Sequence, residues 1–156
     1  MRISLLAVGT RLPAWTNEGF KTYQRRMPRH INLELEEIPA GGRSRRADTA
    51  VARAQEGERI LRRAADADLL IALDERGVQW TTKELAAELE RWQAEFPRVA
   101  LAVGGADGLA EDCRTRASRL WSLSPLTLPH GLVRIVVAEQ LYRAWTLLSG
   151  HPYHRA

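Results

Sequence analysis

Apolar residues recur along this 156-residue chain in two rhythms: short runs of five or six, and longer stretches with a period of about 3.6. Residues 2–8 form a short apolar run stopped by Gly9 and Thr10, which predicts a buried strand. Residues 15–27 bring Phe20, Tyr23 and Met27 onto one helical face, and Pro28 ends that helix. Ile31, Leu33 and Leu35 alternate with polar residues, so 31–38 reads as a second strand with one face covered. Residues 47–65 have a helix-forming composition, interrupted at Gly57, with the charged face of an outer helix. A near-continuous apolar run at 68–73 predicts a central third strand, after which Asp74-Glu75-Arg76-Gly77 turns the chain. Thr81 and Glu84 have capping-box spacing, and the helix they open buries Leu85, Leu89, Trp92 and Phe96. A fourth strand, 99–103, runs directly into Gly104-Gly105. A short helix at 111–120 and extended pieces at 122–128 follow. The last helix, 133–149, carries a buried stripe of Val133, Val136, Val137, Leu141, Ala144 and Leu148.

Strands alternating with helices predict an α/β fold, an open parallel sheet with helices on both faces. At 156 residues the chain forms one domain, 1–156. A composition that is 45% hydrophobic and 27% charged is that of an ordinary globular protein. No run approaches the roughly 18 apolar residues of a membrane span. The opening residues imitate a signal peptide, but their apolar part is too short. One cysteine, Cys113, forms no intrachain disulfide and fits a reducing cytoplasm. Charge is unevenly spread. Residues 1–46 hold nine Lys/Arg against four Asp/Glu, 47–113 eight against fourteen, and 114–156 six against one. Two basic ends around an acidic middle suit a polyanionic partner, although 21 of the 23 cations being Arg equally fits a bias in base composition. Arg43, Arg45 and Arg46 in a glycine-containing loop fit either a phosphate grip or a solvated loop.

Open parallel sheets bind ligands beyond the carboxyl ends of their strands. Leu73 and Gly104 end the third and fourth strands, so they share that edge. The glycines read Gly-Gly-x-x-Gly rather than Gly-x-Gly-x-x-Gly, which removes the diagnostic part of a dinucleotide motif. Asp74 and Glu75 in a turn read as solvated carboxylates. Cys113 has no recognisable catalytic partner. His151 and His154 flank a proline with no cysteine or acidic cluster nearby, poor spacing for a metal.

The motifs GGADGL (104–109), SLSPLTLPH (122–130), VRIVVAEQLYRAW (133–145) and HPYHR (151–155) occur in that order. LLAVGT, EIPAG, EGERIL and LDERG precede them. Jointly they make the whole chain resemble the ribosomal large-subunit RNA pseudouridine N3-methyltransferase family, of the SPOUT class. The resemblance implies S-adenosylmethionine bound in a C-terminal trefoil knot, surrounded by Leu73, Gly104, Leu123, Ser124, Pro125, Leu126, Thr127 and Leu128. It implies 23S ribosomal RNA as substrate, recognised on the assembled ribosome; the histidine spacing already argues for no metal. It also implies a homodimer in which one protomer's tail reaches the other's cofactor. Glu139, His154 and, third, His130 are the available proton acceptors. Arg143, Tyr142, Tyr153 and Arg155 would position the nucleotide, while Arg134 reads as a surface charge. Two rivals stay open: a related methyltransferase acting on transfer RNA, and a ribosome-binding factor without catalysis.

Overall fold

The computed structural model describes residues 1–42 and 48–155. The basic loop at Arg43 to Arg46 and the expected helix start at Ala47 lie outside the described residues. Five strands, β1 (Arg2–Val8), β2 (Asn32–Ile38), β3 (Leu69–Gln79), β4 (Arg98–Val103) and β5 (Arg119–Ser122), form one parallel sheet in the order β2-β1-β4-β3-β5. Between and after them run α1 (Ala14–Gln24), α2 (Thr49–Arg63), α3 (Thr82–Glu95), α4 (Glu111–Arg116) and α5 (His130–Ser149).

The period-2 rule explains the layering. Along β1, Ile3, Leu5 and Ala7 pack with Phe20 of α1, Leu89 and Trp92 of α3, and Val137 and Leu141 of α5. Leu6 and Val8 point the other way, toward Ile60 of α2 and Cys113 of α4. Both faces of the central strands are therefore covered, which is why they read as unbroken apolar runs. The expected open parallel α/β sheet is what forms.

Several boundaries differ from expectation, each for a local reason. Asp74 to Gly77 is a bulge inside β3, not a turn. The β3–β5 register shifts between Leu73 and Val78, and Asp74 Oδ1 accepts the Arg76 N–H at 2.8 Å. The short helix ends at Arg116, and a fifth strand, unforeseen, follows it. Gly57 does not interrupt α2. A Cβ there would meet the Ala110 side chain at 2.6 Å, so its absence lets α4 close on α2. The last helix starts earlier, at His130, with Pro129 as its N-cap. The capping box at Thr81 forms as expected, with Glu84 N donating to Thr81 Oγ1 at 3.1 Å and Thr81 N donating to Glu84 Oε2 at 2.7 Å.

The largest departure is Arg134, which is fully buried rather than a surface charge. Its Nη2 donates to the carbonyls of Val8 (3.2 Å) and Gly9 (2.8 Å), and Nη1 to Glu37 Oε2 (2.8 Å). One side chain thus ties the first turns of α5 to the ends of β1 and β2. Its neighbours displace the expected stripe: Leu148 is 38% exposed and Val136 half-buried, while Gly131, Ala138, Tyr142 and Thr146 are buried instead.

Removing a buried cation from its acceptors is costly. Arg134→Met should lower stability by about 3 kcal/mol in urea unfolding, whereas a change under about 0.5 kcal/mol would mean the three bonds contribute nothing net. Burial also pushes the Cys113 thiol up to about 11. In thiol labelling at pH 8, native protein should react on the order of 100-fold more slowly than urea-unfolded protein. Equal rates would show that the α2–α4 contact opens freely.

Candidate functional site

A cavity of about 750 Å³ opens beyond the carboxyl ends of β3, β4 and β5. Its walls come from four places. Leu73, Asp74, Glu75 and Arg76 line it from the bulged half of β3; residues 104–109 line it from the loop after β4. Trp121 to Ser124 and Leu126 to Pro129 come from β5 and its following loop, and His130 and Val133 from the first turn of α5. Arg53 reaches in from α2, where its Nη1 lies 3.4 Å from the Asp107 carbonyl oxygen.

The glycine loop is shaped by close approach to itself. A Cβ on Gly104 would sit 2.5 Å from the Gly108 carbonyl carbon and 2.7 Å from Leu109 N. Gly105 and Gly108 form a bridge, closed by Gly108 N donating to Gly105 O at 3.1 Å, and Gly108 has φ +78°. Gly104 is needed so that the loop can fold on itself at the cavity wall. The opposite loop is braced internally: Ser122 Oγ donates to Ser124 O at 3.2 Å, and Leu126 N donates to Ser124 Oγ at 3.0 Å.

Seven of the eight expected cofactor residues line this cavity: Leu73, Gly104, Leu123, Ser124, Leu126, Thr127 and Leu128. Pro125 is exposed and does not. Leu126, at 73% exposure, is an apolar side chain held at the mouth. Asp74 corrects the expectation of a solvated turn carboxylate. Its side chain is only 8% exposed, flanked by Arg114 at 3.8 Å and Arg76 at 3.7 Å. Arg114 is itself fixed by donating to Leu109 O at 2.7 Å and pairing with Glu111. Asp74 read as solvated in the sequence because Asp-Glu-Arg-Gly imitates a turn. Sequence reasoning passed over Arg53 and Arg114 because nothing local marks them.

His130 lines the cavity as well. Burial and the nearby Arg134 charge hold its imidazole below the usual histidine range, partly opposed by Glu56. It is therefore neutral at pH 7 and has a lone pair to accept a proton.

The expected catalytic residues form a second cluster, outside the cavity lining. Gly150, in the left-handed region, ends α5 and turns the tail back, with His151 N donating to Thr146 O at 3.0 Å. Pro152–Arg155 then makes one 3₁₀ turn against α5. Tyr153 Oη donates to Glu139 Oε1 at 3.0 Å, and its ring lies 4.7 Å from that of Tyr142 and 4.9 Å from the Arg143 guanidinium. Glu139 also accepts from Arg143 Nε at 2.8 Å and Gln140 Nε2 at 2.7 Å. Burial, and hydrogen bonds with Glu139 and Tyr23, push the Tyr153 phenol up to about 12. Tyr153 is thus a hydrogen-bond donor, not a base. His154 is half-buried, its Nδ1 without a hydrogen-bond partner among the described residues, and Arg155 is exposed. Glu139 lies nine residues along α5 from His130, roughly 13 Å. One chain therefore holds the two groups apart. Among the described residues, no three His, Cys, Asp or Glu side chains gather as a metal site, and no helix is long and apolar enough to cross a membrane.

A family model described as a predicted SPOUT methyltransferase matches residues 1–154. The chain is 52% identical to a ribosomal RNA large subunit methyltransferase H of Hahella chejuensis, over 99% of each chain. It is 53% identical to one from Azotobacter vinelandii, over 99% of this chain and 100% of that one. Among solved structures, a probable methyltransferase from Bordetella pertussis superposes with TM-score 0.59 at 17% identity, over 92% of this chain and 95% of that one. A putative methyltransferase from Legionella pneumophila, solved with bound S-adenosylmethionine, gives 0.52 at 14%, over 93% and 66%. These structural likenesses share the fold.

The glycine loop yields a direct test. Gly104→Ala should cost about 2 kcal/mol in urea unfolding, because the new methyl must displace the Gly108 backbone. A variant as stable as the parent would show that the loop shifts without penalty.

Proposed function

Since the chain belongs to the SPOUT methyltransferase family, we propose that it methylates large-subunit ribosomal RNA with S-adenosylmethionine as donor. In finer detail, the acceptor is N3 of a pseudouridine in 23S RNA, the working form is a homodimer on the assembled ribosome, and the setting is the cytoplasm. The observation that carries this reading is the cavity at the sheet edge, lined by Leu73, Gly104 and most of 123–128.

The lining suits that cofactor. Leu73, Leu123 and Leu128 offer apolar surface for a purine ring, and the backbone of 104–109 and 123–128 offers donors and acceptors for its edge and for ribose hydroxyls. About 750 Å³ lies within the usual range of 300–1,000 Å³ for small-molecule sites. Pro125 belongs to the same loop but lies outside the lining. In a trefoil knot, this loop and α5 would be the threaded segment.

The cofactor supplies an electrophilic methyl group on a sulfonium. The protein's part is to hold the acceptor nitrogen in line, which is worth up to about 7–11 kcal/mol in ideal cases, and to receive the N3 proton. Of the three candidate acceptors, His130 is neutral and lines the cavity. Glu139, already accepting from three donors, serves to orient Arg143 and Tyr153. Tyr153 offers a ring for stacking a nucleobase, and Arg143, His154 and Arg155 offer donors to it or its phosphates. A second copy of the chain would bring this tail cluster to the first copy's cavity.

Calorimetric titration of S-adenosylmethionine should give a micromolar Kd, and deletion of residues 153–156 should leave that affinity intact while abolishing methylation of ribosomes. A dimer co-refolded from the tail deletion and Gly104→Val should recover part of the activity, since one cavity then meets one intact tail. Absence of cofactor binding would favour the ribosome-binding factor. Methylation of transfer RNA rather than ribosomes would move the substrate.

A further inference from the structure

We propose that the C-terminal end of α1 and the adjoining terminal turn form a docking surface for the RNA backbone, outside the same chain's cofactor cavity. This inference rests on the reading of the chain as acting on ribosomal RNA and names the surface that grips it. Lys21, Arg25, Arg26 and Arg29 fall within nine residues, all exposed, and no Asp or Glu occurs between residues 19 and 33. Among the described residues, Lys21, Arg25 and Arg29 make no ion pair. Elsewhere among the described residues most exposed arginines are matched, as Arg62 is to Glu58, Arg91 to Glu88, and Arg98 to Asp68.

The fold adds to this group from a distant part of the sequence. The Arg26 guanidinium lies 5.5 Å from the Tyr23 ring, 5.9 Å from Tyr142 and 6.0 Å from Tyr153. That contact sets the end of α1 beside the tail, so the exposed Arg155, two residues beyond Tyr153, extends the same basic surface. Tyr23 and Tyr153 remain half-exposed among the cations. Cations interleaved with accessible rings suit a polyanion whose bases can stack. Lys21 and Arg25 are one helical turn apart, with side chains about 6 Å from each other, so they can meet successive negative groups.

A plainer role exists for part of this charge, since cations in the last turn of a helix offset its dipole. That role accounts for Lys21 and Arg25. It does not call for Arg29, beyond Pro28, or for Arg155 on another element. Nor does the C-terminal end of α1 line the cavity. Its contribution is to hold a nucleic-acid strand beside the tail cluster, with Lys21, Arg25 and Arg29 unspent on carboxylates among the described residues. Each phosphate so neutralised releases counterions, which makes the affinity steeply dependent on salt.

The test compares the full-length protein with the triple variant Lys21→Ala, Arg25→Ala, Arg29→Ala, leaving Arg26 in place so that the aromatic packing stays intact. Arg62→Ala on the opposite face of the sheet is the control. Binding to purified 70S ribosomes is measured by co-sedimentation across a salt series, with deproteinised 23S RNA as competitor. The triple variant should bind at least about 10-fold more weakly and lower the log–log salt slope by about 2–3. Its S-adenosylmethionine affinity, thermal midpoint and sedimentation coefficient should not change. Unchanged ribosome affinity and slope would overturn the proposal. So would patch-dependent binding that free 23S RNA fails to compete, which would mark an acidic protein as the partner. A shift in sedimentation would overturn it too, by making this face an interface between copies. Failure of the parent protein to bind S-adenosylmethionine would sink the methyltransferase reading while leaving a salt-dependent, patch-dependent RNA interaction intact.

Discussion

The site depends on a guanidinium that water does not reach. Arg134 enters the protein between the sheet and the first turns of α5, where an isolated charge would be prohibitively expensive. It is tolerated because two carbonyls at the end of β1 and one carboxylate on β2 accept its protons. Those acceptors lie at the carboxyl end of the sheet, the edge at which the cavity opens. The same residue therefore fixes where α5 begins, keeps His130 against the cavity and helps keep that imidazole neutral. Packing alone would allow α5 to slide along the sheet; a three-acceptor bond pattern does not.

The rest of the cavity follows from strand order. β4 lies between β1 and β3, so the loop leaving it emerges at the middle of the sheet edge. Gly104 lets that loop fold tightly upon itself, and the bulge in β3 carries Asp74 and Arg76 up beside it. β5, on the outside of β3, then delivers residues 123–129 back over the opening. A pocket made from two loops and a bulge is walled by backbone whose polar groups are not all spent on a regular ladder, as those of an uninterrupted helix or strand would be.

Periodicity revealed most of the architecture because the buried faces are regular. β1, β4 and α3 are covered on all the sides their patterns indicate, and the Thr81 cap is local enough to be read from two residues. The pattern failed where tertiary contacts overrode it. The charged residues 74–77 stay in a strand because Asp74 bonds the Arg76 amide and Gly77 lies against the backbone of Leu120 and Trp121. β5 has only four residues, too few for a period to show. Arg134 looked superficial because its acceptors lie about 100 and 125 residues away. The motif resemblance named seven residues of the cavity lining, yet no local signal identified Arg53 or Arg114, whose relevance exists only once α2, β3 and α4 converge.

Helix α5 explains why one chain holds the two groups apart. Its first turn belongs to the cavity, and its residues 139–145 belong to the tail cluster. A straight 20-residue helix is about 30 Å long and does not shorten, so the separation is built into the covalent chain. The tail cannot cancel it, because Gly150 turns the tail back and Tyr153 locks onto Glu139 and Tyr142 of the same helix. An ordered aromatic and basic tail that never meets its own cavity is wasteful in a monomer. In a two-fold pair the same patch on each copy faces the other, so every contact made by one tail is repeated by its twin. Two copies packed with α5 crossing near its middle would give each cavity one tail. Both clusters would be complete with no further residue added to the chain.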